Sequence, residues 1–545
     1  MVELWVSQGG MVIRWLGILL CVLTLKAQEV RLQVVMTADL RGHVLPQDSF
    51  TLQPANQGWA RLATLIRGLR AANPDTLLVD CGDATRGEPV NYVWEELKRD
   101  LPEPSMAIMN ALGYNAMVVG GRELDHGLGR LRTMEDQAQF PWLAANVVFA
   151  RGGQLAFTPY AIQTVDGVRV AVLGLAAPGQ NLAAGPDAGD LVFQDPVATA
   201  RNLLPLLKSK EKVDMVVVAL HTGAGGDPGD AAGSEAGRLA QVPGIDLILA
   251  SHGRVALGPA LNGVPVLQAG LDGASLGVGE FRFRRGAGNR WELQSRQLRT
   301  VPAGPETAPD PGVLALTAPL RAETEAYLNT FATNLGTDLD CRWARMEDSA
   351  VMQLLHTVAH QASGAQITAL ATPGSRIFIP KGLASVRQFY ALCPSEDRMA
   401  RIRVTGAQLR AYLEQAARYY TFSHDPELFR KDADPGGYDT LDGCTYVLDI
   451  SRPPGSRVVT LQVQDQPVKD SQTFTLGLLS SRLAGRDGYL AAMGWTGKPE
   501  FVSPVIFRNQ LLDYVLARPA LSPAAGNSWR LVPALDRERV LAQQP

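Results

Sequence analysis

The feature that most constrains this chain is an alternation that runs from Val30 to about Leu298. Five apolar, β-rich runs, "VRLQVVMTAD", "DTLLVDCGD", "NAMVVG", "VDMVVVALHTG" and "GIDLILASHG", are separated by helix-like segments such as "GWARLATLIRGLRAA" and "PVATARNLLPLLKSK". Short β-rich runs set between longer amphipathic segments predict strands packed under helices, a layered α/β architecture. Each run ends in a loop carrying Asp, Glu, His or Arg. In open α/β sheets, sites gather at the carboxyl ends of the strands. "FTPYAIQTVDGVRVAVLGLAA" reads as a hairpin insertion with Asp166-Gly167 as its turn.

A length of 545 residues is too great for one core, so two or more domains are expected. "TVPAGPETAPDPG", residues 300–312, is polar and rich in Pro, Ala and Gly, and marks the boundary. A helix-like segment, "VLALTAPLRAETEAYLNTFATNL", follows and is placed to bridge the domains. The second domain, residues 340–531, holds helices at "DSAVMQLLHTVAHQAS" and "TGAQLRAYLEQAARYY" with short strands between them. "DRERVLAQQP" reads as a frayed tail. Hydrophobic content of 46%, charged content of 19% and a net charge of -3 fit a folded protein and give no sign of a nucleic-acid polymer as partner.

At the N-terminus, Arg14 precedes an apolar run from Trp15 to Leu25, the length of a signal-peptide core and too short to span a bilayer. Residues 1–27 are therefore expected to be a signal peptide, and the mature chain to be exported, periplasmic or extracellular, with no membrane span. An uncleaved anchor is the alternative. Cys21 falls in that segment, and Cys81, Cys341, Cys393 and Cys444 are too scattered for a zinc site or a disulfide scaffold.

The five strand ends supply Asp39, Arg41 and His43; Asp80 and Asp83; Arg122, Glu123, Asp125 and His126; His221; and His252 and Arg254. Carboxylate and imidazole together suit Zn, Mn or Fe. The alternative is a set of salt bridges across loop ends. His356 and His360 stand at i and i+4, but "HTVAH" has no Glu after His356, so helix-surface packing is the expected role.

Taken in order, the stretches "TADLRGHVLP", "DTLLVDCGDATRGEP", "MNALGYNAMVVGGRELDHGLGRL", "VDMVVVALHTGAG" and "VPGIDLILASHGRVALGP" resemble the calcineurin-like metallophosphoesterases of the secreted nucleotidase type. The nearest pattern is the 2′,3′-cyclic-nucleotide phosphodiesterase and 5′-nucleotidase branch. "RIRVTGAQLRAYLE", "YDTLDGCTYVLDISRPPGSRV" and "GRDGY" resemble that family's C-terminal domain. The resemblance implies a four-layer αββα domain over residues 30–300, a linker with a helix over 301–339, and an α+β substrate-recognition domain of 5′-nucleotidase type over 340–531. It also implies two adjacent metal ions that activate water and clamp phosphate oxygens.

Carried over residue by residue, the resemblance makes Asp39 a ligand of the first metal and Asp83 the bridging carboxylate. His221 and His252 match ligands of the second metal, and Asp125 matches the acidic partner of a catalytic His. The departures are as specific. Arg41 and Arg254 stand where His ligands are expected, Gly121 replaces an Asn ligand, Arg122 replaces the catalytic His, and Arg86 stands where Gln is common. Arg has only donors and stays protonated, so it cannot ligate a cation. One divalent ion at most, of the Zn, Mn or Mg type, or none, is expected.

Two readings of the arginines stay open. Arg41, Arg122 and Arg254 form a cationic pocket for a small phosphorylated or other anionic ligand. Otherwise Arg122 pairs with Asp125, Arg41 and Arg254 pair with Asp39 and Asp83, and nothing binds. In the second domain, Ser395 stands where a base-stacking aromatic is expected, with Asp397 where Asn is usual; Ser481 and Arg482 occupy the neighbourhood of the second aromatic, just before Asp487. Arg376 matches a substrate contact. The expected function is a phosphoester hydrolase with a reduced metal site, and the alternative is an inactive relative that binds anions or acts as a scaffold.

Overall fold

The structure is a computed structural model that describes residues 29–125, 127–176, 190–222, 234–251, 260–422, 425–430 and 435–543. Residues 1–27, expected to be a signal peptide, together with His126, His252 and Arg254 lie outside the described residues.

Two sheets lie back to back in the first half. One has six strands in the order Trp291–Pro302, Ser275–Arg285, Glu29–Thr37, Leu77–Asp80, Ala116–Val118, Trp142–Leu143. The other has five, Val266–Gln268, Leu247–Ala250, Met215–His221, Val168–Ala176, Tyr160–Val165. Their alternating side chains explain the layering, because successive residues of a strand point to opposite faces. Val30, Leu32, Val34 and Met36 meet Val170, Val172, Val217 and Leu249 in the core between the sheets. Val35 faces the other way, onto Trp59, Ala60, Ala63 and Ile66 of the helix Trp59–Ala72. Ala171, Leu173, Val216 and Val218 pack on Val197, Ala200 and Leu204 of the helix Pro196–Ser209. The result is helix, sheet, sheet, helix. Strands covered on both faces must be apolar throughout, which is why the sequence runs were continuous rather than alternating.

The hairpin turns at Asp166 (φ 49) and Gly167 (φ 88), the paired left-handed conformations of a type I′ turn. It is not an insertion. Strand Val168–Ala176 runs parallel to Met215–His221 inside the second sheet, and Tyr160–Val165 forms its edge.

The bridging helix spans Pro311–Leu328, capped by the Asp310 side chain on the Val313 N–H (2.9 Å). It ends seven residues before the apolar pattern does. Phe331–Leu335 leaves the helix to pair with Gly382–Ser385 and Ala520–Leu521, so strand partners remote in sequence override the local pattern. This helix touches both halves: Glu323 pairs with Lys98 (3.0 Å), and Glu325 pairs with Arg387.

The second half holds a five-stranded sheet in the order Asp439–Asp442, Ile367–Ala371, Thr473–Leu479, Arg398–Thr405, Phe501–Ile506. The helix Ala350–Ser363 starts at the Ser349 cap and stops at Gly364 (φ 62), and Gly406–Ala417 starts in a Thr405/Gln408 capping box. The expected frayed tail is a helix, Arg537–Gln543, whose Val540 is fully buried. His356 is not on a helix surface. It is buried, its two ring nitrogens on the hydroxyls of Thr368 (2.8 Å) and Thr440 (3.0 Å). Among the described residues no helix is long and apolar enough to cross a membrane, and Cys81, Cys341, Cys393 and Cys444 are free thiols.

Candidate functional site

The carboxyl ends of Glu29–Thr37, Leu77–Asp80 and Ala116–Val118 in one sheet, and of Met215–His221 in the other, open onto one cleft. Two tight loops build its floor. The Asp39 N–H donates to the Gly82 carbonyl (2.9 Å) and the Arg41 N–H to the Asp83 carbonyl (2.8 Å). Asp39 (φ 52), Arg41 (φ 51) and Asp83 (φ 59) all adopt the left-handed backbone, a strained choice for non-glycine residues. The wall closes so tightly on Gly120 that a Cβ there would stand 2.5 Å from the Asp83 carboxylate.

Glu123 holds this arrangement. Its buried carboxylate accepts from the N–H groups of Asp83 (2.9 Å), Ala84 (2.9 Å), Thr85 (3.1 Å) and Gly120 (2.9 Å), and from the Thr85 hydroxyl (2.9 Å). Charge-assisted bonds of this kind are about twice as strong as neutral ones. Asp80 plays a different part: it accepts from the Thr37 hydroxyl (2.6 Å) and the Gly82 N–H (2.8 Å) and so closes the strand, while burial pushes its pKa up against those two bonds.

Asp83 lies at the centre. One carboxylate oxygen accepts from the Arg122 N–H (2.9 Å) and lies 3.2 Å from His221 Nε2, while the other lies 3.5 Å from Arg122 Nε. His221 Nδ1 is tied to the Cys81 carbonyl, which turns Nε2 towards Asp83. Burial opposes a charge on His221, but the charge and hydrogen bond of Asp83, then the charge of Asp39, raise its pKa to about 9. Arg41 is 3.9 Å from Asp39 and 3.5 Å from Asp272, and Asp272 also lies 3.7 Å from His43. His43 donates from Nε2 to Glu88 (3.0 Å). Asp125 is raised to about 6 by burial, offset by Arg86 and reinforced by Glu396 and Asp83. Arg122 thus sits on Asp83 rather than on Asp125.

The Arg86 side chain is paired with Glu396. In the second domain, the Asp397 carboxylate accepts from the Ser480 hydroxyl (3.0 Å) and the Ser481 N–H (2.7 Å). Arg482, only 2% exposed, is committed to Asp439 (Nε to Oδ2, 3.0 Å) and to Asp487, and its guanidinium lies over the Tyr489 ring (4.9 Å). Arg376 is exposed. The structure therefore brings Asp39, Arg41, Asp83, Arg122 and His221 together. It does not bring Arg482 or Asp487 to that cluster. Asp272, Glu88 and Glu396 were not singled out from the sequence. Only the Asp-Gly turn at Asp272 (φ 57) marked any of them.

Two family models match this chain: "Calcineurin-like phosphoesterase" over residues 32–253, and "5′-nucleotidase, C-terminal domain" over residues 326–493. The chain belongs to the calcineurin-like phosphoesterases that carry a 5′-nucleotidase C-terminal domain. Among relatives of this family, the trifunctional nucleotide phosphoesterase protein YfkN of Bacillus subtilis (strain 168) is 24% identical over 582 aligned residues, covering 93% of this chain. The chain spans 39% of that protein's length. The 2′,3′-cyclic-nucleotide 2′-phosphodiesterase/3′-nucleotidase of Haemophilus influenzae is 26% identical over 598 aligned residues, covering 94% of this chain and 89% of that protein. In fold, the chain is similar to a crystal structure of a putative 5′-nucleotidase from Staphylococcus aureus in complex with alpha-ketoglutarate (TM-score 0.75, 21% identity, 92% of this chain and 100% of that one).

Calcineurin-like phosphoesterases use divalent metals. Among the described residues no group of three His, Cys, Asp or Glu side chains is placed to hold a metal ion, and His252, an expected ligand, lies outside them. Asp83 and His221 are the two residues that would hold an ion here, the imidazole being oriented from behind by the Cys81 carbonyl. The other position is flanked by the Arg41 guanidinium beside Asp39, which offers donors only.

Proposed function

We propose that this chain is a phosphoester hydrolase of the nucleotidase and cyclic-phosphodiesterase family with a reduced metal site, in which guanidinium groups take over much of the positive charge that faces the phosphate. The observation that carries the reading is the engagement of Asp83, which already receives the Arg122 N–H, the Arg122 side chain and His221. Arg41 and Arg122 keep 26% and 31% of their side chains exposed, so both can present donors to a ligand in the cleft. Guanidinium matches phosphate or carboxylate oxygens through paired bonds. The substrates suggested by the relatives' names are nucleotide phosphoesters, and the signal-like N-terminus supports work outside the cytoplasm.

Arg122 orients and neutralises but moves no proton, because its guanidinium stays charged. General acid–base help is typically worth ~10²–10⁴ in rate, so turnover on ordinary nucleotides falls by that order. The second reading, a non-catalytic anion binder or scaffold, is favoured by the same Arg122.

Metal analysis of the purified protein, paired with hydrolysis of generic mono- and diester substrates, decides between them. One ion or none with slow turnover supports the hydrolase reading, and no turnover at all supports the second. Two bound ions with fast turnover defeats both. Arg41→His, Gly121→Asn, Arg122→His and Arg254→His, combined, should raise metal content and turnover together.

A further inference from the structure

A loop of the second domain reaches across to the cleft and sets a carboxylate on one of its arginines. Arg86 follows Asp83 by three residues, and its carbonyl accepts from the Arg122 guanidinium (3.1 Å). The next residue, Gly87, packs so closely on the Arg41 loop that a Cβ would stand 2.8 Å from the Arg41 carbonyl. The Arg86 backbone therefore belongs to the cleft. Its side chain, 5% exposed, runs to Glu396, itself 10% exposed.

The far side of Glu396 is held by the second domain. Its other oxygen lies 3.5 Å from Arg508, which also donates to the Pro394 carbonyl (3.0 Å) and lies 4.1 Å over the Tyr390 ring. Phe50 of the first domain stacks on that same Tyr390 ring at 5.4 Å.

We propose that Glu396 is a tethered anion that latches the second domain onto the cleft and withholds Arg86 from small external anions such as phosphate. A carboxylate and a phosphate offer the same oxygen acceptors to a guanidinium. A tethered group acts at a high effective concentration, of order millimolar, so a free anion must compete with an occupant that never leaves. The reading rests on the cleft being an anion site.

The test is calorimetric titration of inorganic phosphate, in chelator-treated buffer, into the full chain, Glu396→Gln and the double variant Arg86→Gln/Glu396→Gln. Amide hydrogen exchange over residues 84–88 and 393–397 is followed in parallel. Glu396→Gln should bind phosphate about tenfold tighter, and the double variant should return to the full-chain value. Both variants should exchange faster in the two loops. A folded Glu396→Gln that binds no more tightly overturns the withholding, and unchanged exchange overturns the latch. Removing one partner of a buried pair can unfold a protein, whereas removing both charges is far milder. The double variant therefore carries the exchange measurement if the single one fails to fold. If no form binds phosphate, the anion reading of the cleft has failed instead, and exchange alone judges the latch.

Discussion

Two arginine–aspartate constellations in this molecule look alike on paper and differ in kind. In the cleft, Arg122 and Arg41 stand 3.5–3.9 Å from Asp83, Asp39 and Asp272, with a quarter or more of each arginine side chain open to solvent. In the second domain, Arg482 grips Asp439 through two nitrogens and Asp487 through a third, almost wholly buried. The long, partly wet contacts leave donors that can turn to a ligand. The short, dry ones are saturated and hold the strand Asp439–Asp442 to the loop at 485–488. Residue type does not separate a binding arginine from a structural one; geometry and burial do.

The widest test of that contrast is Arg482→Ala. It strands a buried Asp439 and should lower stability by about 3–5 kcal/mol in denaturant unfolding. A loss below that of Arg122→Ala would break the comparison.

Next in size is a pH effect in the second domain. Burial drives the His356 pKa down to about 4 from its ordinary 6.5, with the Asp442 charge opposing. Between those values the unfolded chain binds more protons than the folded one. The stability contribution is thus full above pH ~6.5 and lost as pH falls towards ~4, by at most about 1.4 kcal/mol per pH unit. His356→Gln should flatten that window in unfolding curves taken from pH 4 to 7.

Smaller again, Arg122→Ala should weaken phosphate binding about tenfold in calorimetry, roughly 1.4 kcal/mol. Its exposed pairing should change stability by no more than about 1 kcal/mol. A large drop in stability would make Arg122 a second Arg482.

The smallest expected effect is at the His360–Asp442 pair (2.9 Å). The His360 hydrogen bond, against some burial, holds Asp442 down at about 2, and Asp442 in turn raises His360. Asp442 contributes above its ordinary 3.8 and loses that as pH falls through about 2. His360 contributes below 6.5 and loses that as pH rises through its raised value. Asp442→Asn should remove both limbs, for a change within about 1 kcal/mol.

Much of the site was legible beforehand. Asp39, Asp83, Arg122 and His221 stand at strand ends, and a layered sheet brings strand ends together whatever the details. Glu123 was visible as part of the loop's frame, but not its grip on four backbone N–H groups and a hydroxyl, three of those groups and the hydroxyl some forty residues away. Pairing of Arg122 with Asp125, three residues along, was one of the two readings left open by the sequence; Arg122 lies instead on Asp83, whose carboxylate also accepts its own N–H. Asp272 could not be assigned to Arg41 from spacing, since more than two hundred residues separate them.

By itself, the amino-acid order determined the layers, the type I′ turn at Asp166-Gly167, and which strand ends carry charge. These follow from local periodicity and from conformations that single residues prefer. Which arginine is spent inside the fold, which faces the cleft, and which is held by Glu396 of the other domain was decided only by tertiary structure. A guanidinium reaches whatever acceptor the packing sets beside it, and the packing is fixed by contacts far apart in the chain.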